Sequence, residues 1–218
     1  MERVKIFIGY DPKEAIAFHT LVQSIINKAT VPFEIIPLDI RNLPMYTRKV
    51  DDKQSNEFSF TRFLVPYLSK YKGVSIYFDC DMMLRTDIAE VLKEVNDKPI
   101  YLVKHNYTPK DKYKYLGSKQ YNYPRKNWSS FVVWNCSHDS NKIVTDTFVN
   151  NATAEELHQF KFIKDDEIGE LNVRWNWLVG EYNDPPDDVK NVHWTLGGPW
   201  LKEYKDVDFA DEWRLNNA

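Results

Sequence analysis

The length, composition and charge of the chain exclude several classes of protein. Its 218 residues include 43% hydrophobic and 28% charged residues, which excludes a disordered or collagen-like chain. A net charge of −3, from 29 Lys and Arg against 32 Asp and Glu, gives no overall field that attracts nucleic acid, so we expect no general nucleic-acid binding. No run approaches the roughly 18 apolar residues that span a bilayer, and no signal-peptide pattern opens the chain. We therefore expect no transmembrane segment and a cytoplasmic location.

Short apolar runs alternate with helical patterns through the first half of the chain. Val4–Gly9 is a β-rich run that ends in a Gly-Tyr-Asp-Pro turn, with the proline placed to begin a helix. The apolar residues then recur at helical spacing. The predicted strands are 4–9, 31–38, 74–78 and 99–103, and the predicted helices are 14–26, 59–68 and 87–95. This alternation predicts an α/β domain with a mostly parallel central sheet flanked by helices, whose ligands bind at the carboxyl ends of the strands.

The second half of the chain is less regular. Residues 104–126, called the basic segment below, carry seven basic residues against one acid, with five interleaved tyrosines, and are typical of a long loop. Such a loop can be a mobile lid over a donor substrate, a platform that binds an acidic acceptor substrate, or a connection exposed to solvent. A strand is predicted over 128–134, and helices over 139–150 and 153–160. With no repeat and no low-complexity linker, we expect one domain over 1–218.

Two carboxylates directly follow the predicted strand at 74–78. Residues two apart in a strand point to the same face, so Asp79 and Asp81 would aim at one spot while Cys80 packs on the other side. Paired oxygen ligands at the carboxyl end of a strand favour a divalent cation or a phosphate. A solvated strand end is the alternative, because an isolated Asp-x-Asp pattern is weak and recurs at 206–208.

Tyr10 and Asp11, at the same edge of the predicted sheet, and Arg62, on a predicted helix, are further candidates for a binding site. Tyr10 can stack on a base, and Asp11 can accept hydrogen bonds from a base or ribose, but Asp11 is equally an ordinary helix cap. Arg62 lies on the polar side of the predicted helix 59–68. It would contact a phosphate or simply be solvated.

The C-terminal third adds a histidine, two glycines and a run of acids. His193 ends a short predicted strand and precedes Gly197 and Gly198, whose amides can approach an anion closely, although a lone histidine is usually structural. Asp165 and Asp166 stand in a run of three acids, which more often marks the solvated first turn of a helix than a catalytic group.

Taken together, these residues resemble a GT-A-fold glycosyltransferase. The resemblance is greatest to glycosyltransferase family eight, which includes glycogenin and the bacterial lipopolysaccharide galactosyl- and glucosyltransferases. It extends over roughly residues 4–200, and the matching segments occur in the order of the family's landmarks. These segments are 8–11, 60–68, 77–84, 129–135, 165–168 and the histidine at 193.

The resemblance implies a role for each matching position. The implied metal ligands are Asp79, Asp81 and His193. The residues expected to bind the nucleotide-sugar are Gly9, Tyr10, Asp11, Arg62, Asp79, Gly197 and Gly198. The expected catalytic residues are Asp165 and Asp166, which match the Asp-Gln-Asp-Ile segment of the family. Residues 1–103 would then form the nucleotide- and metal-binding half of the domain, and 104–218 the acceptor-side half.

Two departures from the family pattern bear on the chemistry. The family carries a lysine for the diphosphate after the histidine, whereas the run from Gly197 to Trp200 has none. The cation, the glycine amides, Lys202 or Arg62 would then neutralise the diphosphate. At Asp166 an acid replaces the glutamine of the family, which changes the charge expected near the anomeric carbon.

The implied activity is transfer of a hexose from a nucleotide-diphosphate sugar, expected to be a UDP-hexose, to an acceptor hydroxyl with retention of the anomeric configuration. The enzyme would be a hexosyltransferase of EC class 2.4. Two carboxylates and an imidazole suit Mn²⁺ better than Mg²⁺, because nitrogen ligation favours the softer ion. The alternatives are a non-catalytic module that binds a nucleotide-sugar or carbohydrate, and a sugar nucleotidyltransferase.

Overall fold

The computed structural model of the protein describes residues 3–49, 54–114, 117 and 119–217. The strands are β1 (Val4–Gly9), β2 (Phe33–Leu38), β3 (Val74–Phe78), β4 (Met82–Leu84), β5 (Ile100–Leu102), β6 (Phe131–Asn135), β7 (Ile168–Glu170), β8 (Trp177–Leu178) and β9 (Asn191–His193). The α-helices are α1 (Ala15–Lys28), α2 (Val65–Leu68), α3 (Ala89–Leu92), α4 (Asp146–Asn151), α5 (Ala154–His158) and α6 (Ala210–Asn216). No helix among the described residues is long and apolar enough to cross a membrane.

The main sheet has six strands in the order β2-β1-β3-β6-β5-β7. Strand β6 is antiparallel to both of its neighbours, and the other pairs in the sheet are parallel. The prediction of a mostly parallel α/β sheet is therefore confirmed. As a consequence β1, β3, β5 and β7 all end at one edge of the sheet, called the carboxyl edge below.

A second sheet, β4-β9-β8, was not predicted. Strand β4 follows β3 after three residues and pairs antiparallel with β9, so that Met82 lies opposite His193. The chain thus leaves the main sheet at its carboxyl edge and enters the second sheet at once. This connection brings a residue from the C-terminal third against the end of β3.

Both faces of the main sheet are buried. Side chains alternate along each strand, so in β3 Tyr77 contributes to one hydrophobic cluster, and Ile76 and Phe78 contribute to the other. A third cluster covers the second sheet and includes Trp194 and Trp213. Part of the high aromatic content therefore packs the core.

Several predicted helices are shorter or broken. The helix predicted over 59–68 is a 3₁₀ turn at Thr61–Leu64 followed by the single turn of α2, whose second residue is a proline. The helix predicted over 139–150 is a 3₁₀ turn, Asp139–Ile143, and then α4, which Thr145 caps. Such breaks follow from local capping and proline, which interrupt a periodic apolar pattern.

Candidate functional site

The two aspartates that follow β3 lie in a turn between the two sheets. Strand β3 ends at Phe78 and β4 begins at Met82, so Asp79 and Asp81 do not continue a strand as the sequence predicted. The amide of Asp79 donates to the carbonyl of Ser130 at 2.8 Å, and the carbonyl of Asp81 accepts from the amide of Trp194 at 3.0 Å. Backbone hydrogen bonds to β6 and to the end of β9 therefore fix both aspartates, one at each sheet.

Asp79, Asp81 and His193 form a buried cluster. One possible ligand atom of each residue lies within 4.8 Å of the others. The Oδ1 atom of Asp81 is 3.4 Å from Nε2 of His193, and it makes no hydrogen bond to any of the described residues although it is buried. A buried polar atom left without a partner costs about 1–3 kcal/mol. A divalent cation would give this oxygen a partner, so the donor set fits such an ion.

Asp79 is held by two further buried side chains. The Tyr77 hydroxyl donates to Oδ1 of Asp79 at 2.6 Å, and Nη1 of Arg62 lies 3.0 Å from the same oxygen. Arg62 is 6% exposed and also donates to the carbonyl of Ser129, which excludes its interpretation as a solvated residue. Burial raises the pKa of Asp79, and the Arg62 guanidinium opposes that rise.

The pKa of Asp81 is shifted in the opposite direction. Burial acts to raise the pKa of Asp81, but His193 and Lys114 together act in the opposite direction and leave that pKa below its ordinary value. The Asp81 carboxyl is therefore ionised in the folded protein at neutral pH. An ionised, buried oxygen with no hydrogen-bond donor among the described residues is the strongest chemical feature of the cluster.

His193 is oriented by a residue that the sequence analysis missed. Oδ1 of Asn176 lies 2.9 Å from Nδ1 of His193, while the Asn176 amide nitrogen donates to Oγ of Ser130 at 2.8 Å. This arrangement places a proton on Nδ1, so Nε2 is the ring nitrogen that faces Asp81 and is available to a cation. The only sequence signal was a polar residue between Trp175 and Trp177.

Both carboxylate oxygens of Asp11 accept hydrogen bonds from backbone amides. Asp11 is buried, with Oδ1 accepting from the amide of Lys13 at 2.9 Å and Oδ2 accepting from the amide of Glu57 at 3.1 Å. It caps the 3₁₀ turn Pro12–Glu14, as one of its two interpretations predicted. Its contact with a base or ribose stays a prediction.

Gly9 and Tyr10 lie where β1 reaches the carboxyl edge. A Cβ atom on Gly9 would stand 2.4 Å from the Phe58 ring, so packing alone requires a glycine there. The Arg41 guanidinium lies 5.5 Å from the centre of the Tyr10 ring. The structure places both residues at the expected edge, and their roles toward a nucleotide stay predictions.

Gly197 and Gly198 are also required by internal packing. A Cβ atom on Gly197 would lie 2.6 Å from the Tyr204 ring, and one on Gly198 would lie 2.0 Å from the Trp200 ring. Gly197 has a φ of +140°, which L-residues with a side chain rarely adopt. Aromatic packing thus explains these glycines without a ligand, and amide contacts with an anion stay a prediction.

The structure does not bring Asp165 or Asp166 into the cluster. Both precede β7, which runs parallel to β5 with Ile168 beside Ile100, so they lie toward the sheet edge opposite the carboxyl edge. Both side chains are exposed, and Asp165 pairs with Arg125 at 2.6 Å. The catalytic role that the resemblance implies for them stays a prediction.

The basic segment contains a small hairpin anchored on a buried glutamate. Tyr113 and Lys119 form an antiparallel bridge. The two carboxylate oxygens of Glu181 accept from the amide of Lys110 at 3.0 Å and from the side chain of Gln120 at 3.2 Å. The segment is therefore tied to the chain that follows β8 rather than being only a solvated connection.

This hairpin carries Lys114 toward the cluster. Burial lowers the pKa of Lys114, and the carboxylates of Asp81, Glu14 and Asp79 act in the opposite direction. Lys114 was not among the predicted site residues. The structure thus places a lysine near the aspartates, whereas the sequence analysis had considered Lys202 and Arg62 for the diphosphate.

No family model matches the chain. The chain is 43% identical over 217 residues to Protein CDI of Arabidopsis thaliana, and the alignment covers 96% of this chain and 84% of that protein. The chain belongs to the Protein CDI family. The name of the family does not describe a chemical activity.

Solved structures similar to this member of the Protein CDI family are glycosyltransferases. The WbbM bifunctional glycosyltransferase matches with a TM-score of 0.66 and 17% identity over 99% of this chain and half of its own. GlyE of Streptococcus pneumoniae matches with a TM-score of 0.65 and 11% identity, over all of this chain and 60% of its own. The galactosyltransferase LgtC, solved with donor and acceptor sugar analogs, has a TM-score of 0.61 and 11% identity over 98% of this chain and 95% of its own.

These comparisons show the fold. The member of the Protein CDI family described here has the GT-A fold of glycosyltransferases, as the sequence resemblance implied. It spans half of the WbbM chain and about 60% of the GlyE chain.

Proposed function

We propose that the protein is a metal-dependent glycosyltransferase that moves a hexose from a UDP-hexose to an acceptor hydroxyl. The observation that carries the proposal is the buried cluster of Asp79, Asp81 and His193 at the carboxyl edge of a GT-A sheet, in which Oδ1 of Asp81 makes no hydrogen bond to any described residue. LgtC, which has the same fold, was solved with donor and acceptor sugar analogs. We also propose retention of the anomeric configuration, because the sequence resembles glycosyltransferase family eight.

The three cluster residues would hold Mn²⁺, or Mg²⁺, through two carboxylates and the Nε2 atom of His193. When bound, the cation stabilises the negative charge on the diphosphate leaving group. An imidazole ligand favours Mn²⁺ over the harder Mg²⁺. Asn176 accepts a hydrogen bond from Nδ1 of His193 and so directs Nε2 toward the cation.

Two cations of the chain assist at the diphosphate in this proposal. Arg62 is ion-paired with Asp79, so it fixes the carboxylate and adds positive charge beneath the site. Lys114 lies near the same carboxylates and would contact the diphosphate in place of the lysine that the family carries after the histidine. Both charges act on the leaving group, where negative charge develops during glycosyl transfer.

The test is the melting temperature of the purified protein against a panel of nucleotide-sugars, with and without Mn²⁺. A ligand at about 100 times its Kd adds about 2.7 kcal/mol, which corresponds to a rise of roughly 5–10 °C for a chain of this size. We expect that rise with a UDP-hexose and Mn²⁺ together, and its loss in Asp81→Ala. Asp206→Ala is the matched control, because Asp206 belongs to the other, exposed Asp-x-Asp pattern.

Each result has a distinct meaning. A shift that needs Mn²⁺ and disappears only in Asp81→Ala, together with slow release of UDP from the donor, supports the enzyme. Donor binding with no UDP release under any condition indicates a non-catalytic binding module instead. A panel with no Mn²⁺-dependent shift contradicts the proposed function.

A further inference from the structure

His105 has a buried nitrogen that the proposed metal and diphosphate contacts do not use. The side chain is 5% exposed, and its Nδ1 atom lies 2.7 Å from the Tyr182 hydroxyl. Its Nε2 atom is buried and makes no hydrogen bond within the part of the chain that the structure describes. Buried polar side chains are nearly always paired, so an open nitrogen of this kind points to a ligand.

His105 lies near the candidate metal cluster. His105 comes just after β5, at the carboxyl edge of the main sheet. The amide of Tyr182 donates to the carbonyl of Leu178, and Leu178 is paired with His193 between β8 and β9. The charge of a protonated His193 would act on His105, which agrees with this closeness.

The protonation state of the pair determines which chemical group can bind. Burial, with a smaller effect of His193, lowers the pKa of His105 to about 3, and burial raises the pKa of Tyr182 to about 12. At neutral pH His105 is a neutral imidazole, which has one N–H and one lone pair. The Tyr182 hydroxyl can pair with Nδ1 in either tautomer, so Nε2 is either a donor or an acceptor. A hydroxyl satisfies both cases, whereas a carboxylate or an ammonium satisfies only one.

His105 belongs to a cluster of aromatic rings. The rings of His105, Tyr107 and Tyr182 lie with their centres 5.8–6.2 Å apart, and the Trp177 ring is 5.3 Å from Tyr182. The amide of Asn127 donates to the Tyr107 hydroxyl at 2.8 Å and so orients that ring. Apolar rings with few, well-placed polar groups are typical of small-molecule sites.

We propose that Nε2 of His105 binds a hydroxyl group of a sugar ring that lies against Tyr107 and Tyr182. Because Nε2 is closed to solvent in the ligand-free protein, the neighbouring rings shift when the sugar binds. The subsite rests on the proposed glycosyl-transfer function, and its ligand is either the hexose of the donor or the acceptor. His105 is thereby a specificity residue for hydroxyl-bearing rings and leaves the nucleotide contacts unchanged.

The experiment compares UDP with UDP-hexose in the presence of Mn²⁺ by calorimetry, for the wild type, His105→Phe and His105→Gln. If the donor hexose is the ligand, we expect His105→Phe to weaken UDP-hexose about tenfold and to leave UDP unchanged. If the acceptor is the ligand, binding of UDP-hexose is unchanged and KM for a panel of mono- and disaccharide acceptors rises about tenfold. In either case the glutamine, whose amide can reach the position of Nε2, restores part of the loss.

The outcomes separate this subsite from the proposed function. If the wild type binds UDP-hexose with Mn²⁺ and His105→Phe changes neither the ratio of UDP-hexose to UDP affinity nor the acceptor KM, the subsite is wrong and the function stands. If the wild type itself shows no Mn²⁺-dependent binding, the proposed function fails. Should His105→Phe not fold, Tyr182→Phe serves instead, because it removes the partner of Nδ1 and keeps the ring. It should weaken the same ligand about threefold, and an unchanged affinity also overturns the subsite.

Discussion

Single residues around His193 divide into those that would contact the proposed cation and those that hold the contacting groups. Asn176 belongs to the second kind, because it is fully buried and joins the imidazole of His193 to the hydroxyl of Ser130. A histidine whose other nitrogen is fixed keeps its lone pair aimed at one point, which lowers the entropic cost of metal binding. Asn176 is therefore a positioning residue rather than a ligand.

We expect Asn176→Leu to weaken Mn²⁺ binding 10- to 100-fold, because the imidazole loses the acceptor that sets its tautomer. The free energy of unfolding should also fall by about 1–3 kcal/mol, since the Nδ1–H group of His193 is left without a partner. Titration of Mn²⁺ followed by electron paramagnetic resonance gives the Kd, and urea unfolding gives the stability.

The control is Ser130→Ala, which removes the anchor of the Asn176 amide and leaves the contact with His193 in place. Its effect on Mn²⁺ binding should be smaller than that of Asn176→Leu. Equal Mn²⁺ affinity in the wild type and in Asn176→Leu would show that the amide does not orient the ligand.

Among the structural elements, the hairpin in the basic segment places Lys114 near the aspartates of the candidate site. Lys110 and Gln120, at the base of the hairpin, both donate hydrogen bonds to the carboxylate of Glu181. Lys114 follows Tyr113, which forms the bridge with Lys119. Anchoring both sides of a hairpin at its base limits the positions that its residues can reach. The lysine is thus kept near the aspartates by an element that has no periodic sequence pattern.

Replacement of Lys114 should weaken the binding of the nucleotide without weakening the binding of the metal. In Lys114→Met, Mn²⁺ alone should bind as well as in the wild type or a few-fold tighter, because a positive charge near the carboxylates is lost. UDP in the presence of Mn²⁺ should bind about tenfold more weakly, because the diphosphate loses a cationic partner. Calorimetry measures both affinities, and Lys112→Met, which changes an exposed lysine of the same hairpin, is the control. A fall of both affinities together would indicate that the substitution disturbs the fold of the site.

For the whole molecule, two histidines with lowered pKa values link stability to pH. The pKa of His158 is lowered to about 3 by burial and, to a lesser extent, by Arg62 and Arg48, and that of His105 is also lowered to about 3, mainly by burial. The unfolded chain takes up a proton on each imidazole below about pH 6.5, and the folded chain does so only near pH 3. Because the unfolded state then binds more protons, stability is full above pH 6.5 and is lost as the pH falls toward 3.

The unfolding free energy should fall by up to about 1.4 kcal/mol for each of the two histidines per unit decrease in pH below about 6.5. Urea unfolding at pH 7.5, 6.5, 5.5 and 4.5 measures the slope of the unfolding free energy. His158→Gln should make the slope shallower by about one proton, while His19→Gln, at an exposed helix position, should leave it unchanged. Equal slopes for His158→Gln and the wild type would contradict the linkage.

Local patterns sufficed for the main sheet and for part of the site. Strand β3 is a run of five apolar or small residues directly before Asp79, and strand identity, burial and the edge position of Asp79 all follow from that pattern. Helix α1 was predicted because its apolar residues recur at helical spacing. Only β9 of the second sheet was predicted, as a short strand that ends at His193, because the three residues of β4 and the two of β8 are too few to show a period.

The sequence by itself determined the α/β class, the parallel order of the N-terminal strands and the carboxylate pair at 79 and 81, because alternation and short-range spacing encode these features. Only the tertiary structure decided that Arg62 is buried against Asp79, that Asn176 holds His193 and that Asp165 lies toward the opposite edge. Each of these depends on pairing between segments far apart in the chain. The free energy of that pairing comes from burial and hydrogen bonds that no local pattern records.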